Sequence, residues 1–372
     1  MNRKYRHIIM VAMAMLMSTA CNQSSEETTE QGGGVPVTDT RTAISFSGQQ
    51  GEEQAVSRGT NRRAGTPLSD TGVHAFKVWG YKNMSYNEGT GNYGDLQTVF
   101  PGYIVNWTAN SAATTTTNSN GWEYISSDPE QTIKYWDWGA SAYRFFAVTA
   151  GTPSETAGQV SFTMTADCSG ATDEAIAANI AATPYFSKLW FSTGDPVAYP
   201  DKQFGKPVIL EFLKPFARVR FLFNYSYAAE GVKVTGPSFK PTDGTKKIAR
   251  KGTVTVTYPL TGASTKESYT ITKSPAEGEE LVDFNEEYIP EGTEKWYTVL
   301  PVLTQGSYTM TVTVNNTTKT AVVPAEYMSW KPGYSYTYIF KITEDGGVEI
   351  DLVQAAVTAW TELVNDHTVY NW

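Results

Sequence analysis

The chain has 372 residues, with 38 Asp+Glu against 29 Lys+Arg and a formal net charge of -9 at pH 7. Binders of nucleic acid or anionic membrane present basic surfaces, so this acidic balance argues against both. Two cysteines, Cys21 and Cys168, support neither a disulfide framework nor a thiolate metal cluster.

The first residues carry a short basic head (Arg3, Lys4, Arg6), an apolar run from Ile8 to Met17, the small residues Ser18, Thr19 and Ala20, and then Cys21. That order reads as a lipoprotein signal peptide over residues 1–20, ending at a lipid-modified cysteine. The run is shorter than the about 20 apolar residues that span a bilayer, and no later segment comes close. Membrane contact is therefore expected only through the N-terminal lipid. Residues 22–40 are rich in Ser, Thr, Glu and Gly, cannot bury enough surface to order themselves, and read as a tether. Cys168, with no motif around it, reads as a small packing residue.

Beyond the tether, Ala43-Ile44-Ser45-Phe46-Ser47 is a short strand whose Ile44 and Phe46 share one face. A polar loop follows with Arg58, Arg62 and Arg63. Val73–Tyr81 is the first long strand, residues 83–95 and 106–120 read as polar loops, and residues 133–136 and 143–148 read as paired strands. Thr172–Ala182 predicts a short helix, with Thr172 as N-cap and acids in its first turn. A turn-rich stretch at residues 199–206 marks a boundary. After it, period-2 alternation is clean in residues 219–223, 253–258, 269–272, 309–314 and 334–342. With 22 Tyr, 16 Phe and 10 Trp, a composition suited to pleated surfaces, the pattern predicts an all-β fold of two antiparallel β-sandwich domains in tandem, with little helix. The expected segments are a tether with a removable first strand at 21–63, one sandwich at 64–200 and a second at 201–372.

The motifs of catalysis are weak. Gly89-Thr90-Gly91-Asn92-Tyr93-Gly94 matches a dinucleotide fingerprint in letters, but no strand–helix context surrounds it and a loop is the better reading. Asp70-Thr71-Gly72 lacks the second carboxylate that an aspartic protease needs and reads as a turn. His74 and His367, with His7 in the head, do not form a metal-spaced cluster. Asp345-Gly346-Gly347 reads as a hairpin turn. No cofactor is expected, and the chain reads as a non-enzyme. In Tyr135-Trp136-Asp137-Trp138, the tryptophans either stack on sugar rings or serve as core (Trp136) and edge cover (Trp138).

Taken together, several segments resemble the fimbrillin family of Bacteroidetes, the subunits of type V pili. They are Cys21, Ile44–Ser47 before the Arg-rich loop, Phe76–Tyr81, Ile133–Trp136 with Tyr143–Ala147, Leu210–Phe212 with Ala217–Phe221, Trp330–Tyr336, and Val357–Trp360. The resemblance implies two transthyretin-like domains and a lipoprotein precursor, with Ser24-Ser25-Glu26-Glu27 resembling a signal for transfer to the outer surface. It implies that a trypsin-like maturation protease cuts after Arg63, with Arg62 and Arg58 as alternatives, and so releases the lipidated segment with its Ile44/Phe46 strand. A strand from another pilin subunit then fills the groove, with Val357, Trp360, Leu363 and Val364 as donor anchors. The implied location is the outer membrane surface and then the pilus, and a host or bacterial surface ligand is a further implied partner. The alternatives are a surface lipoprotein that binds glycans, or a tip or anchor pilin that keeps its lipid at Cys21.

Overall fold

In the computed structural model, the residues described are 41–50, 68–107, 121–125, 130–194, 203–244, 248–266, 268–275, 295–302 and 306–357. Among them the protein is mostly β. The strands are β1 (Phe46–Gln50), β2 (Ala75–Asn87), β3 (Asn92–Trp107), β4 (Trp122–Glu123), β5 (Ala142–Val148), β6 (Pro153–Thr156) and β7 (Gln159–Asp167). After the helix α1 (Asp173–Ala182) come β8 (Phe186–Ser187), β9 (Trp190–Thr193), β10 (Val208–Leu213), β11 (Ala217–Asn224), β12 (Val234–Pro241), β13 (Lys251–Pro259) and β14 (Thr270–Pro275). The remainder are β15 (Tyr297–Val299), β16 (Tyr308–Val314), β17 (Thr317–Val323), β18 (Tyr334–Ile342) and β19 (Val348–Val357).

The largest sheet runs β1-β10-β8-β5-β2-β3-β4, with β9 also on β5. Its two faces are both covered. One holds the core of Ile44, Phe46, Phe76, Phe100, Tyr143, Phe145 and their neighbours. The other packs Trp79, Tyr81, Phe146 and Val148 against Phe162, Met164, Val254, Val256 and Tyr258 of a second sheet, β14-β13-β7-β6. A strand buried on both faces reads as a continuous apolar run rather than an alternation, and all seven residues of β5 are buried. Gly80 of β2 is required here: a Cβ on it would lie 2.6 Å from the Phe145 ring and 2.9 Å from that of Phe100. A third core joins the sheet β15-β11-β18-β19 to the sheet β12-β16-β17.

Three sequence expectations change in detail. Most pairings are antiparallel, but β1 with β10 and β11 with β18 are parallel. Residues 83–95, read as a polar loop, form the outer part of the β2–β3 hairpin, paired from Asn83↔Leu96 to Asn87↔Asn92. The glycine-rich letters fall at its tip, where Gly91 takes φ 69°. Residues 133–136 form no strand; they meet the first segment through the bridge Ala43↔Tyr135. The second sheet pairs Gln159–Asp167 of β7 with Lys251–Pro259 of β13.

Helix α1 forms where expected. Thr172 caps it, its Oγ1 accepting from the Ala175 N–H at 3.3 Å. The helix has no buried residue, so its other end is fixed from outside. Lys214 is 2% exposed; its Nζ donates to Ala181 O at 3.1 Å and to Thr183 O. These carbonyls close a helix end that favours a cation, and the Tyr185 ring centroid lies 4.0 Å from Nζ. Burial pulls the Lys214 pKa down to about 7, against about 10.4 in an unfolded chain. Between those values the unfolded chain holds a proton that the folded chain has released, so stability rises with pH across the window. Thermal melts between about pH 6 and about pH 9 will show the wild type gaining stability relative to Lys214→Met. Parallel curves for the two proteins would remove this account.

Candidate strand-exchange groove

The first segment lies between two backbone edges. On one side the Ile44 N–H donates to Lys134 O at 2.8 Å, and the Trp136 N–H donates to Thr42 O at 3.0 Å. On the other, the Val208 N–H donates to Ser45 O at 2.8 Å, and Phe46–Gln50 runs parallel to Val208–Phe212. The segment thus changes partner at Ser45, and among the described residues β1 stands at the end of its sheet.

Ile44 and Phe46 are both 0% exposed. The Phe46 ring sits edge-on to Phe100 at 5.0 Å, Phe145 at 5.6 Å and Tyr124 at 6.0 Å. Burying two such side chains contributes roughly 3–6 kcal/mol. Gly48 follows on the same face, and a Cβ there would press on Leu68, Phe212 and Phe76 at 3.2–3.3 Å. Gln50, 3% exposed, donates through Nε2 to the Tyr185 hydroxyl at 3.3 Å. Ile44 and Phe46 are therefore brought together as the alternation requires, with Gly48 and Gln50 extending their row.

Tyr124 completes the wall, and the sequence offered no signal for it. Its hydroxyl donates to Ile44 O at 3.0 Å and accepts from the Lys134 N–H at 3.2 Å, joining the first segment to its neighbour. Burial pushes the phenol pKa well above its ordinary value, so the hydroxyl keeps its proton. Glu123 accepts from the N–H groups of Tyr124 and Ile125 at 2.8 and 2.9 Å. Gln131 donates to Ile104 O at 2.9 Å and also to Tyr124 O. These bonds hold the short β4 segment against the groove. The arrangement is that of a binding slot for an extended peptide: backbone partners on two sides and aromatic sockets below.

Cys21, Arg58, Arg62, Arg63, Trp360, Leu363 and Val364 lie outside the described residues. Val357 is the last residue of β19, opposite Tyr334 of β18, so the C-terminal strand is paired within its own chain up to that point. Trp136 is 4% exposed among Tyr143 and Phe204 and is a core residue, whereas Trp138 is 54% exposed beside Phe204. Asp70 lies in the turn Leu68–Thr71 before β2. Asp345 shapes the β18–β19 hairpin by accepting from the Gly347 N–H at 3.2 Å. Cys168 is buried, its Sγ 3.0 Å from Arg250 O and 3.2 Å from Thr298 O. Among the described residues, no group of three or more His, Cys, Asp or Glu side chains is placed to hold a metal ion. No helix among them is long and apolar enough to cross a membrane.

No protein-family profile matches the chain, and no curated protein matches it. Solved structures do. A candidate cell-adhesion protein from Bacteroides ovatus is 12% identical, with 87% of this chain and 99% of that chain covered and a TM-score of 0.38. A fimbrial protein from Bacteroides vulgatus is 12% identical, with 86% and 99% covered and a TM-score of 0.36. A C-terminally truncated tip fimbrial protein from Porphyromonas gingivalis is 8% identical, with 77% and 94% covered and a TM-score of 0.28. The matched structures are a candidate cell-adhesion protein and fimbrial proteins of Bacteroidetes, the kind that the sequence resemblance names.

Proposed function

We propose that the chain is a structural, non-enzymatic subunit of a cell-surface fimbria, assembled by strand exchange and supporting adhesion. The observation that carries this reading is the seating of Ile44 and Phe46. Two fully buried anchors belong to a segment at the end of a sheet, and that segment leads into residues 51–67 with Arg58, Arg62 and Arg63. Cleavage there by a trypsin-like protease would free the segment, together with the lipid on Cys21, and open the 134–136 and 208–212 edges at once. An unpaired strand edge is a template for another chain. Because the donor and acceptor surfaces differ, such a contact propagates as an open filament.

The donor would be the C-terminal region, with Val357, Trp360, Leu363 and Val364 as anchors. Residues up to Val357 would have to leave β18 to take part fully, whereas Trp360, Leu363 and Val364 follow the paired strand in sequence. The precursor would be an outer-membrane lipoprotein and the processed form a pilus subunit. A second reading, a glycan-binding lipoprotein, is favoured by the exposure of Trp138.

The experiment is limited proteolysis of the full chain with a trypsin-class protease. The expected product starts at Ala64, loses the 42–50 segment and forms ladders that resist mild detergent. Monomer that keeps its N-terminal segment after complete cleavage between residues 51 and 67 would defeat the proposal.

A further inference from the structure

The outer face of the β7–β13 pair is a regular hydroxyl array. Ser161, Thr163 and Thr165 stand opposite Thr257, Thr255 and Thr253. The Ser161 and Thr257 hydroxyls are 2.7 Å apart, as are those of Thr163 and Thr255. At the Thr165 end this face runs into a pocket of about 380 Å³ between β7 and the C-terminal end of α1. That volume falls in the usual range for small-ligand sites, about 300–1,000 Å³.

Five polar side chains line the pocket: Thr163, Thr165, Asp167, Asn179 and Thr183. Gly151 and Pro184 contribute to its rim. The polar groups are held in place. Asn179 Nδ2 donates to Ser169 O at 2.7 Å. Asp167 Oδ1 accepts from the Ser169 N–H at 2.9 Å and from its hydroxyl at 2.7 Å, while Oδ2 lies 3.0 Å from Lys251 Nζ. Partial burial works against ionisation of Asp167, but the Ser169 and Lys251 interactions outweigh it and hold the carboxyl below the usual range.

We infer that this pocket is a binding site for the terminal sugar of a neutral or N-acetylated glycan, with the hydroxyl array as the track for the following sugars. Each sugar hydroxyl is both donor and acceptor, which is what the threonine hydroxyls and the carboxamide match, and the carboxylate accepts from adjacent sugar hydroxyls. No basic side chain lines the pocket, and the nearby Lys251 is engaged by Asp167, so an acidic ligand is not favoured. β7 pairs with β6 only as far as Phe162, so an extended peptide at that edge is the competing occupant, and peptide binding in place of a glycan would overturn the inference. The site does not depend on strand exchange and is separate from Trp138.

The test is a printed array of neutral, N-acetylated and sialylated glycans probed with the full chain, followed by titration of the best ligand. Wild type should bind neutral or N-acetylated glycans with a dissociation constant of about 1 mM or tighter. Thr165→Val keeps β-branching and shape but removes the hydroxyl; with Asn179→Ala it should weaken binding about tenfold. Trp138→Ala should leave binding unchanged. Melting curves would establish that each variant is folded. Absence of neutral-glycan binding, preference for sialylated glycans, or binding indifferent to Thr165→Val and Asn179→Ala but lost in Trp138→Ala would each overturn the inference.

Discussion

Replacing Phe46 by alanine will lower the free energy of unfolding by about 3–5 kcal/mol. The ring is fully buried between Phe100, Phe145 and Tyr124, so its loss leaves a cavity lined by aromatic edges that cannot collapse freely. Urea unfolding of the full chain measures the effect; a loss under about 1 kcal/mol would mean that the ring is not a core element. The same substitution separates stability from exchange. Once the chain is cut between residues 51 and 67, the 42–50 segment is held by its hydrogen bonds and its buried side chains, with Ile44 and Phe46 the largest apolar ones. In cleaved Phe46→Ala it should dissociate faster by about two orders of magnitude or more, since about 1.4 kcal/mol is a factor of ten and contact energy of this kind appears mainly in the off-rate. A labelled peptide spanning residues 42–50 reads this directly. If exchange into the cleaved wild type and the cleaved variant proceeds at one rate, Phe46 is not what holds the segment.

Alternation announced the anchors because apolar and polar residues alternate in Ile44-Ser45-Phe46-Ser47, which puts Ile44 and Phe46 on one face. The same logic made β11, β13 and β16 readable, since each shows one buried row; in β18 the sequence alternates although Ser335 and Thr337 of the polar row are buried as well. It failed where burial does not alternate. In β5 both faces are covered, so period carries no information about which residues meet. It also failed in the β2–β3 hairpin, where Met84, Ser85 and Tyr86 are only partly buried or exposed and polar composition masquerades as loop. Partner choice is a tertiary matter. Nothing local to residues 46–50 specifies a parallel match to residues 208–212, and nothing local to Tyr124 announces that its hydroxyl will bridge Ile44 and Lys134. Buried hydrogen-bonding groups belong to the same illegible class, because their partners lie far along the chain.

Arg144 is the strongest case of such a group, and its loss will cost about 3–4 kcal/mol. It sits at 0% exposure in the middle of the apolar run of β5. Its guanidinium donates to Asn83 Oδ1, to Thr261 O at 2.6 Å and to Gly262 O. It also lies against the rings of Phe191 and Tyr93, 4.7 and 5.4 Å from their centroids. Burial lowers its pKa to about 10, which still leaves it charged at neutral pH. The planar fork is what the site uses: one arm reaches β2 and the other takes two successive carbonyls in the turn after β13. Asn83 Nδ2 reaches the same turn through Leu260 O at 3.3 Å, and Asn92 of β3 bridges to Gly262. Arg144→Ala removes the donors from two carbonyls and empties the slot between the rings. Arg144→Met refills part of the slot but supplies no donor, so its stability should fall between wild type and alanine. Arg144→Lys keeps the charge without the fork and should not restore the wild-type value. Hydrogen exchange should place the opening at residues 260–262 and the β2–β3 hairpin, with the core of β11, β16 and β18 still protected. Uniform loss of protection across all three cores would instead make Arg144 a determinant of global folding rather than a clamp on that turn.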